Sequence, residues 1–254
     1  GEWGKRLGGV IMHPNRLGFL FGFVFIFSLF MIKPKRPIYR MLLAIIALVG
    51  MYLCHSRSAI FSLIITFIIL VFLSSNIRRW LLFLFPALIL LVPFVGLDIA
   101  QYVLRGAEIS DVYAASQRLQ IWEAALELGL SNPIIGCGYI ECTKEFLPEL
   151  VSDKVGYKFV AAVHAHNDLI QVFASAGLVG LSLLSVLYYK IISGVFRNWK
   201  KDKNREQFFL LAITIYFSLA GLTEQTFSGG LGVISGVLIA TYLKSFYIAT
   251  VYED

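Results

Sequence analysis

Two histidines separated by one residue, in His164-Ala165-His166-Asn167, stand just before a long apolar stretch that starts at Leu169. An imidazole changes charge near neutral pH, so it can take a proton from a hydroxyl and hand it on. An ionisable group at the edge of an apolar span is costly unless paired or solvated, which marks the run as a functional candidate. Two arginines add a second kind of chemistry: Arg57 in His55-Ser56-Arg57-Ser58, and Arg118 in Gln117-Arg118-Leu119-Gln120-Ile121-Trp122. A guanidinium fork matches phosphate oxygens and keeps its charge at any physiological pH. Two such forks converging with a histidine would suit a diphosphate-linked substrate lying in a membrane leaflet. Alternate residues share a face in an extended chain, so His164 and His166 also have the spacing of a metal pair. No Asp-x-Asp or Glu-x-Glu pair stands anywhere in the chain to complete a divalent site, and the expectation is a site with neither metal nor cofactor.

Plainer roles fit the same residues. Arg57 is placed where a long side chain snorkels to lipid headgroups. Arg118 has Glu123 within reach and water beside it. His166 would serve equally as a polar residue satisfied at an interface.

The elements that must position these groups are apolar. The 254 residues are 58% hydrophobic and 15% charged, and the mean hydropathy is +0.76, too apolar for a soluble domain. Seven candidate spans emerge: Leu17–Ile32, Ile38–Cys54, Ala59–Leu73, Trp80–Leu97, Leu169–Ile192, Phe208–Leu222 and Phe227–Ile248. A crossing takes about 20 residues, so the shorter spans need polar turns or snorkelling flanks. The predicted fold is therefore all-α, a polytopic transmembrane bundle forming a single domain over residues 1–254.

Basic residues fall in alternate connections. Lys33, Lys35, Arg36 and Arg40 follow the first span, Arg78 and Arg79 the third, and a run from Lys190 to Arg205 the fifth, with Lys244 near the end of the last. That face holds 13 basic residues and four acids, and the other holds nine basic residues and twelve acids. The positive-inside rule makes the first face cytoplasmic. The pI near 9.2 follows from this bias, and no nucleic-acid motif accompanies it. His13, His55, His164 and His166, with Arg57 and Arg118, then all lie on the outer face. The same topology puts residue 1 outside although the chain has no signal peptide and does not start with Met. The expectation is a C-terminal part of a larger polytopic protein.

The connection at residues 98–163 is far longer than the turns usual between packed helices, and long loops tend to carry function. It reads as an extracytoplasmic subdomain with an amphipathic helix over Ser116–Leu130. Ser116 is its candidate cap, with Leu119, Trp122 and Leu126 on an apolar stripe suited to the bundle or to the headgroup level, and Glu123 and Glu127 on another face. Gly129 and Asn132-Pro133 stop the helix, and Ile134–Tyr139 with its two glycines reads as a tight turn. Glu141, Glu145 and Glu149 recur every four residues, as on a solvated helix face. Cys54 reads as a packing residue. Cys137 and Cys142 are too few for a disulfide framework, yet near enough to staple a turn in an oxidising compartment.

These motifs together resemble the O-antigen ligase and polymerase superfamily. The likeness rests on His166-Asn167-x9-Gly177-x2-Gly180, the preceding Arg118…Trp122…Pro133…Gly136-x-Gly138 run, Ser56-Arg57-Ser58-Ala59 at the start of a span, and His13-Pro14-Asn15. The order of these motifs and the long outer loop agree with the family from Gly1 to about Ile248, and complete members carry further N-terminal spans. The resemblance implies a metal-independent, inverting glycosyltransferase at the outer face of the bacterial cytoplasmic membrane. Its donor would be a glycan on undecaprenyl diphosphate. Its acceptor would be lipid A core, a second lipid-linked repeat unit or a protein, in the synthesis of O-antigen, capsule or exopolysaccharide. His166 would be the general base, and Arg57 and Arg118 would bind the diphosphate. His164 and Asn167 would orient His166 or the acceptor, Glu224 would support them from the last outer turn, and Gly177 and Gly180 would allow close helix packing. A transporter or flippase of lipid-linked sugars is the competing expectation. It fits less well because transporters place ionisable groups near the midplane, whereas here they crowd one surface.

Overall fold

The structure is a computed structural model that describes residues 14–31, 37–54, 56–73, 109–155, 164–202 and 204–226, with isolated helical positions at 236, 240 and 243. The span expected at Trp80–Leu97 lies outside the described residues, as does nearly all of Phe227–Ile248. His13 and His55 also lie outside them. Among the described residues every regular element is helical. In chain order these are α1 (Pro14–Phe30), α2 (Pro37–Leu53), α3 (Arg57–Leu73), α4 (Ile109–Ser131), the short α5 (Tyr139–Glu141), α6 (Leu147–Val155), α7 (Asp168–Lys201) and α8 (Arg205–Gly221). The 34-residue α7 is long and apolar enough to cross a bilayer, while α1 and α2 are shorter apolar helices of 17 residues each.

The chain divides into two compact units, one of Gly1–Phe67 with Leu183–Asp254 and one of Ile68–Ser182. In the first unit α1 and α8 run antiparallel. Asn15 at the start of α1 donates to Glu224, just past α8, at 2.6 Å. At the other end the Arg205 guanidinium donates to the Leu29 carbonyl at 3.1 Å, a cation satisfying the orphan carbonyls of a helix C-terminus. Between these ends runs an aromatic seam in which Phe23 meets Phe209 and Phe217, and Phe30 stacks on Phe208. Tyr216, fully buried, presses its hydroxyl where a Cβ on Gly22 would stand. Asn204 caps α8 by accepting from the Gln207 N–H at 2.9 Å.

Beside its apolar core the bundle buries several hydroxyls and leaves a broad apolar face exposed. Ser28, Ser62, Thr66 and Thr214 are buried, whereas Ile38, Met41, Leu42, Ile45 and Ile46 of α2 are exposed. Two of the buried hydroxyls turn back on their own helices, Thr66 to the Ser62 carbonyl at 2.7 Å and Ser28 to the Phe25 carbonyl at 2.7 Å. An exposed apolar face of that breadth suits lipid, with small and polar residues turned towards neighbouring helices. Cys54, just past α2, is buried as a packing residue.

The second unit contains the described part of the 98–163 loop. Its α4 starts at Ile109, seven residues before the expected Ser116, so Ser116 sits inside the helix and does not cap it. The face of α4 that packs on its neighbours is lined in part by small residues. Ile121, Ala124, Ala125 and Leu128 pack with Cys142, Leu147, Val151, Ala165 and Ala174, with Trp122 at the edge. Leu119 and Leu126 are exposed. Alanines let the neighbours approach α4 closely, which the larger leucines would prevent. Glu123 and Glu127 lie on another face and bracket Lys154 of α6 at 3.3 and 3.1 Å, holding its ammonium above the ordinary value through Glu127 first and Glu123 second. Thus Glu123 engages Lys154. Glu141, Glu145 and Glu149 are all exposed, with one wide π turn at Cys142–Phe146 between α5 and α6.

Candidate functional site

The His164–Asn167 turn is built on the start of α7. The Asn167 side-chain oxygen accepts from the Leu169 and Ile170 amides at 3.0 and 3.2 Å, and its carbonyl receives the Gln171 N–H at 3.0 Å. Asn167 is therefore the cap of α7, satisfying donors that a helix start otherwise leaves orphaned. One residue earlier, His166 adopts a φ of 50°, and it is the residue other than glycine in the left-handed region among those described. That conformation costs an L-residue roughly 1–2 kcal/mol and persists only where surrounding contacts offset the strain.

The residue before His166 is held on both sides. The Ala165 N–H donates to Gln171 Oε1 at 2.9 Å, and the Ala165 carbonyl accepts from the Trp122 indole at 2.6 Å. Ala165 and Gln171 are buried, at 1% and 0% exposure. The Gln171 amide is itself oriented by Ser175, whose hydroxyl accepts from Nε2 at 3.0 Å and donates to the Gln171 carbonyl at 2.7 Å. His164 and His166 flank this clamped alanine and are half-buried. Removing the indole donor would leave a buried carbonyl unpaired, at a cost of about 1–3 kcal/mol.

Arg118 is half-buried on α4, in the middle of the helix and not in its first turn as expected. It precedes Trp122 by one helical turn and so shares that side of α4. The helix thus presents Arg118 beside the residue that grips the histidine turn. Arg57 opens α3, as its place in the sequence suggested, in the first unit. Glu224 is buried there with Gln225 and Thr226; it accepts from Asn15, and Thr226 meets the Tyr188 hydroxyl at 3.4 Å. Among the described residues no cluster of three metal-ligating side chains occurs.

Behind the turn, α7 is broken at Gly177, whose φ of 60° and ψ of −156° lie in a region open essentially to glycine alone. The break frees two carbonyls and two amides, and the Pro133–Gly138 turn takes all four. Cys137 N–H bonds the Ala174 carbonyl at 3.0 Å and Gly138 N–H the Ser175 carbonyl at 2.9 Å. In return the Leu178 and Val179 amides bond the Pro133 and Ile134 carbonyls at 2.8 and 3.1 Å. A Cβ on Gly136 would overlap the Ser175–Ala176 peptide, and one on Gly177 would overlap the Ile134 carbonyl. Gly177 therefore does more than permit close packing, because it lets a turn substitute for the helix's own hydrogen bonds. Cys137 and Cys142 beside this junction are free thiols. Burial first, and the neighbouring Cys137 second, push the Cys142 thiol up to about 12.

Sequence reasoning passed over Gln171 and Ser175, and gave Trp122 a place on the apolar stripe and in the family-like run but no bond to the histidine turn. The available signal was a pair of polar residues one turn apart, and after them a glycine, in an otherwise apolar stretch. Asp168, 1% exposed in the first turn of α7, was passed over too; a carboxylate there is favoured by the helix dipole.

The described residues are helical, with one helix long and apolar enough to cross a membrane and a strained histidine turn at its head. Known proteins agree: the O-antigen ligase family profile matches residues 42–185, more than half of the chain, and the chain belongs to that family of bacterial inner-membrane proteins. The matched region contains Arg57, Arg118, His164, His166, Asn167, Gly177 and Gly180. A Rickettsia typhi protein named as a polysaccharide ligase is 23% identical over 159 residues, covering 61% of this chain and 38% of that protein. The chain thus spans well under half of that relative in the matched region.

Proposed function

We propose that the protein is a metal-independent, inverting glycosyltransferase that moves a glycan from undecaprenyl diphosphate to an acceptor sugar at the outer face of the cytoplasmic membrane. The observation that carries this reading is the His166 turn, a half-buried imidazole held in a constrained backbone at the head of a membrane-capable helix, in a chain of the O-antigen ligase family. His166 accepts the proton of the acceptor hydroxyl as its oxygen bonds the anomeric carbon. The bond from that carbon to the diphosphate breaks on the opposite side, which inverts the centre. Arg118 and Arg57 bind the diphosphate and offset the charge that grows on it as it leaves. Lipid diphosphate is a good leaving group, so the reaction calls for neither nucleotide nor divalent ion. Asn167 holds the helix start, and His164 and Glu224 have supporting places. The surrounding topology is a bundle of about seven spans in this part of the protein, with basic connections in the cytoplasm. Ligase and polymerase share this chemistry and differ in the acceptor, lipid A core or a second lipid-linked repeat unit.

The test is transfer from undecaprenyl-diphosphate glycan by full-length protein in liposomes containing EDTA. Turnover is expected to survive chelation, and His166→Ala should lower it by ~10²–10⁴. Near-normal turnover by that variant would falsify the role given to His166.

A further inference from the structure

We propose that Trp122 and Gln171 are positioning residues for His166, gripping the peptide planes that set its backbone angle. This rests on the transferase reading above for its activity readout. The peptide joining Ala165 to His166 is one of the two planes that define φ at His166, and its carbonyl is fixed by the Trp122 indole at 2.6 Å. The preceding peptide is fixed through the Ala165 N–H by Gln171 Oε1 at 2.9 Å. On the far side, Asn167 is anchored into the first turn of α7 by the bonds it accepts from Leu169 and Ile170. His166 alone is left to join two immobilised segments, and its φ of 50° is the angle that joins them.

The parts of this clamp are dedicated to it. Gln171 is fully buried, where a polar side chain is costly without partners. Its oxygen goes to Ala165, and its nitrogen goes to Ser175, which fixes which end of the amide faces the turn. Trp122 comes from α4, so the imidazole is referenced to both the loop helix and the long helix. A general base acts only within hydrogen-bond reach of its proton, and a shift of about 1 Å costs up to about a hundredfold in rate. A device that fixes backbone angle on either side of the base is what that tolerance calls for.

The experiment compares Trp122→Phe, Gln171→Met and Gln171→Glu with Leu128→Ala, a substitution in the same apolar cluster with no bond to the turn. Full-length protein is assayed in liposomes with undecaprenyl-diphosphate glycan, and thermal stability is measured alongside. Trp122→Phe and Gln171→Met are expected to lower kcat by about tenfold or more with donor KM changed less than about twofold, and to displace the pH profile of kcat. Gln171→Glu, which keeps an oxygen for the Ala165 N–H, should recover part of the rate. Leu128→Ala should lose stability and keep its kcat. Wild-type kcat and pH profile in Trp122→Phe would overturn the proposal, as would equal kcat loss in Leu128→Ala at equal loss of stability. His166→Ala in the same assay separates the two ideas: if it turns over normally, the transferase role of His166 fails. The clamp is then judged by the rate at which diethyl pyrocarbonate acylates His166, followed by mass spectrometry. A changed rate in Trp122→Phe and Gln171→Met supports it, and an unchanged rate in both overturns it.

Discussion

At the histidine turn, the backbone beside His166 is bonded by side chains from two different helices. His166 and Asn167 were legible because residue type and spacing alone single them out. The roles of Trp122 and Gln171 were not, because each bonds a backbone atom, and the Trp122 partner lies 43 positions away. No spacing rule encodes such a pair. Arg118→Lys and Arg57→Lys should both depress turnover, since an ammonium cannot reproduce a two-pronged contact with a diphosphate. Parallel loss of kcat/KM in both, measured over a range of donor concentrations, is the expected result, and full activity in either would remove that arginine from the site. Cys142 gives a prediction about pH. Its thiol, pushed up from 9.0 to about 12, keeps its proton in the folded protein while the unfolded chain loses it. Stability should therefore be complete below about 9 and fall as pH rises towards 12. Thermal melts across that range should show a shallower decline for Cys142→Ala, and identical slopes would contradict the burial of the thiol.

Elements were legible where apolarity continues without interruption and less so where it does not. The starts of α1, α2 and α3 fall within three residues of the expected spans. The loop helix was placed correctly but begun too late, because Ser116 is a good cap residue in a stretch whose upstream residues, Val112 to Ala115, continue a helix equally well. Its leucine stripe suited either the bundle or the headgroup level, and the sequence did not show which face packs on the neighbouring helices. Leucine spacing advertises burial, yet the contact is made by Ala124 and Ala125, whose small size shortens the distance to the neighbouring helices. The break in α7 was invisible as a break, since glycine within an apolar span also suits tight packing. Gly177→Ala should destabilise the protein by about 1–3 kcal/mol from backbone strain alone, with further loss from overlap with the Ile134 carbonyl. Thermal unfolding in detergent measures it, and a variant as stable as the parent would show that the break is not required.

For the whole molecule, the alternation of basic connections makes the strongest statement the sequence contains about orientation. Single cysteines at positions 118 and 200, in a protein otherwise without cysteine, should be labelled by a membrane-impermeant maleimide from opposite sides, 118 from outside and 200 only after permeabilisation. The reverse pattern would put the histidines on the cytoplasmic side and end the proposed chemistry. The antiparallel pairing of α1 and α8 agrees with such an arrangement, since Asn15 and Glu224 share one end and Arg205 the other.

The four backbone bonds traded between the Pro133–Gly138 turn and the interrupted α7 carry a consequence for biogenesis. A ribosome delivers the turn before the helix that needs it, so the donors and acceptors are waiting when Gly177 enters the translocon. A fragment starting after Gly138 would have to place two amides and two carbonyls against hydrocarbon with nothing to receive them. Splitting the gene within that interval, and co-expressing the halves, should yield a C-terminal piece that is stable only in the company of the N-terminal one.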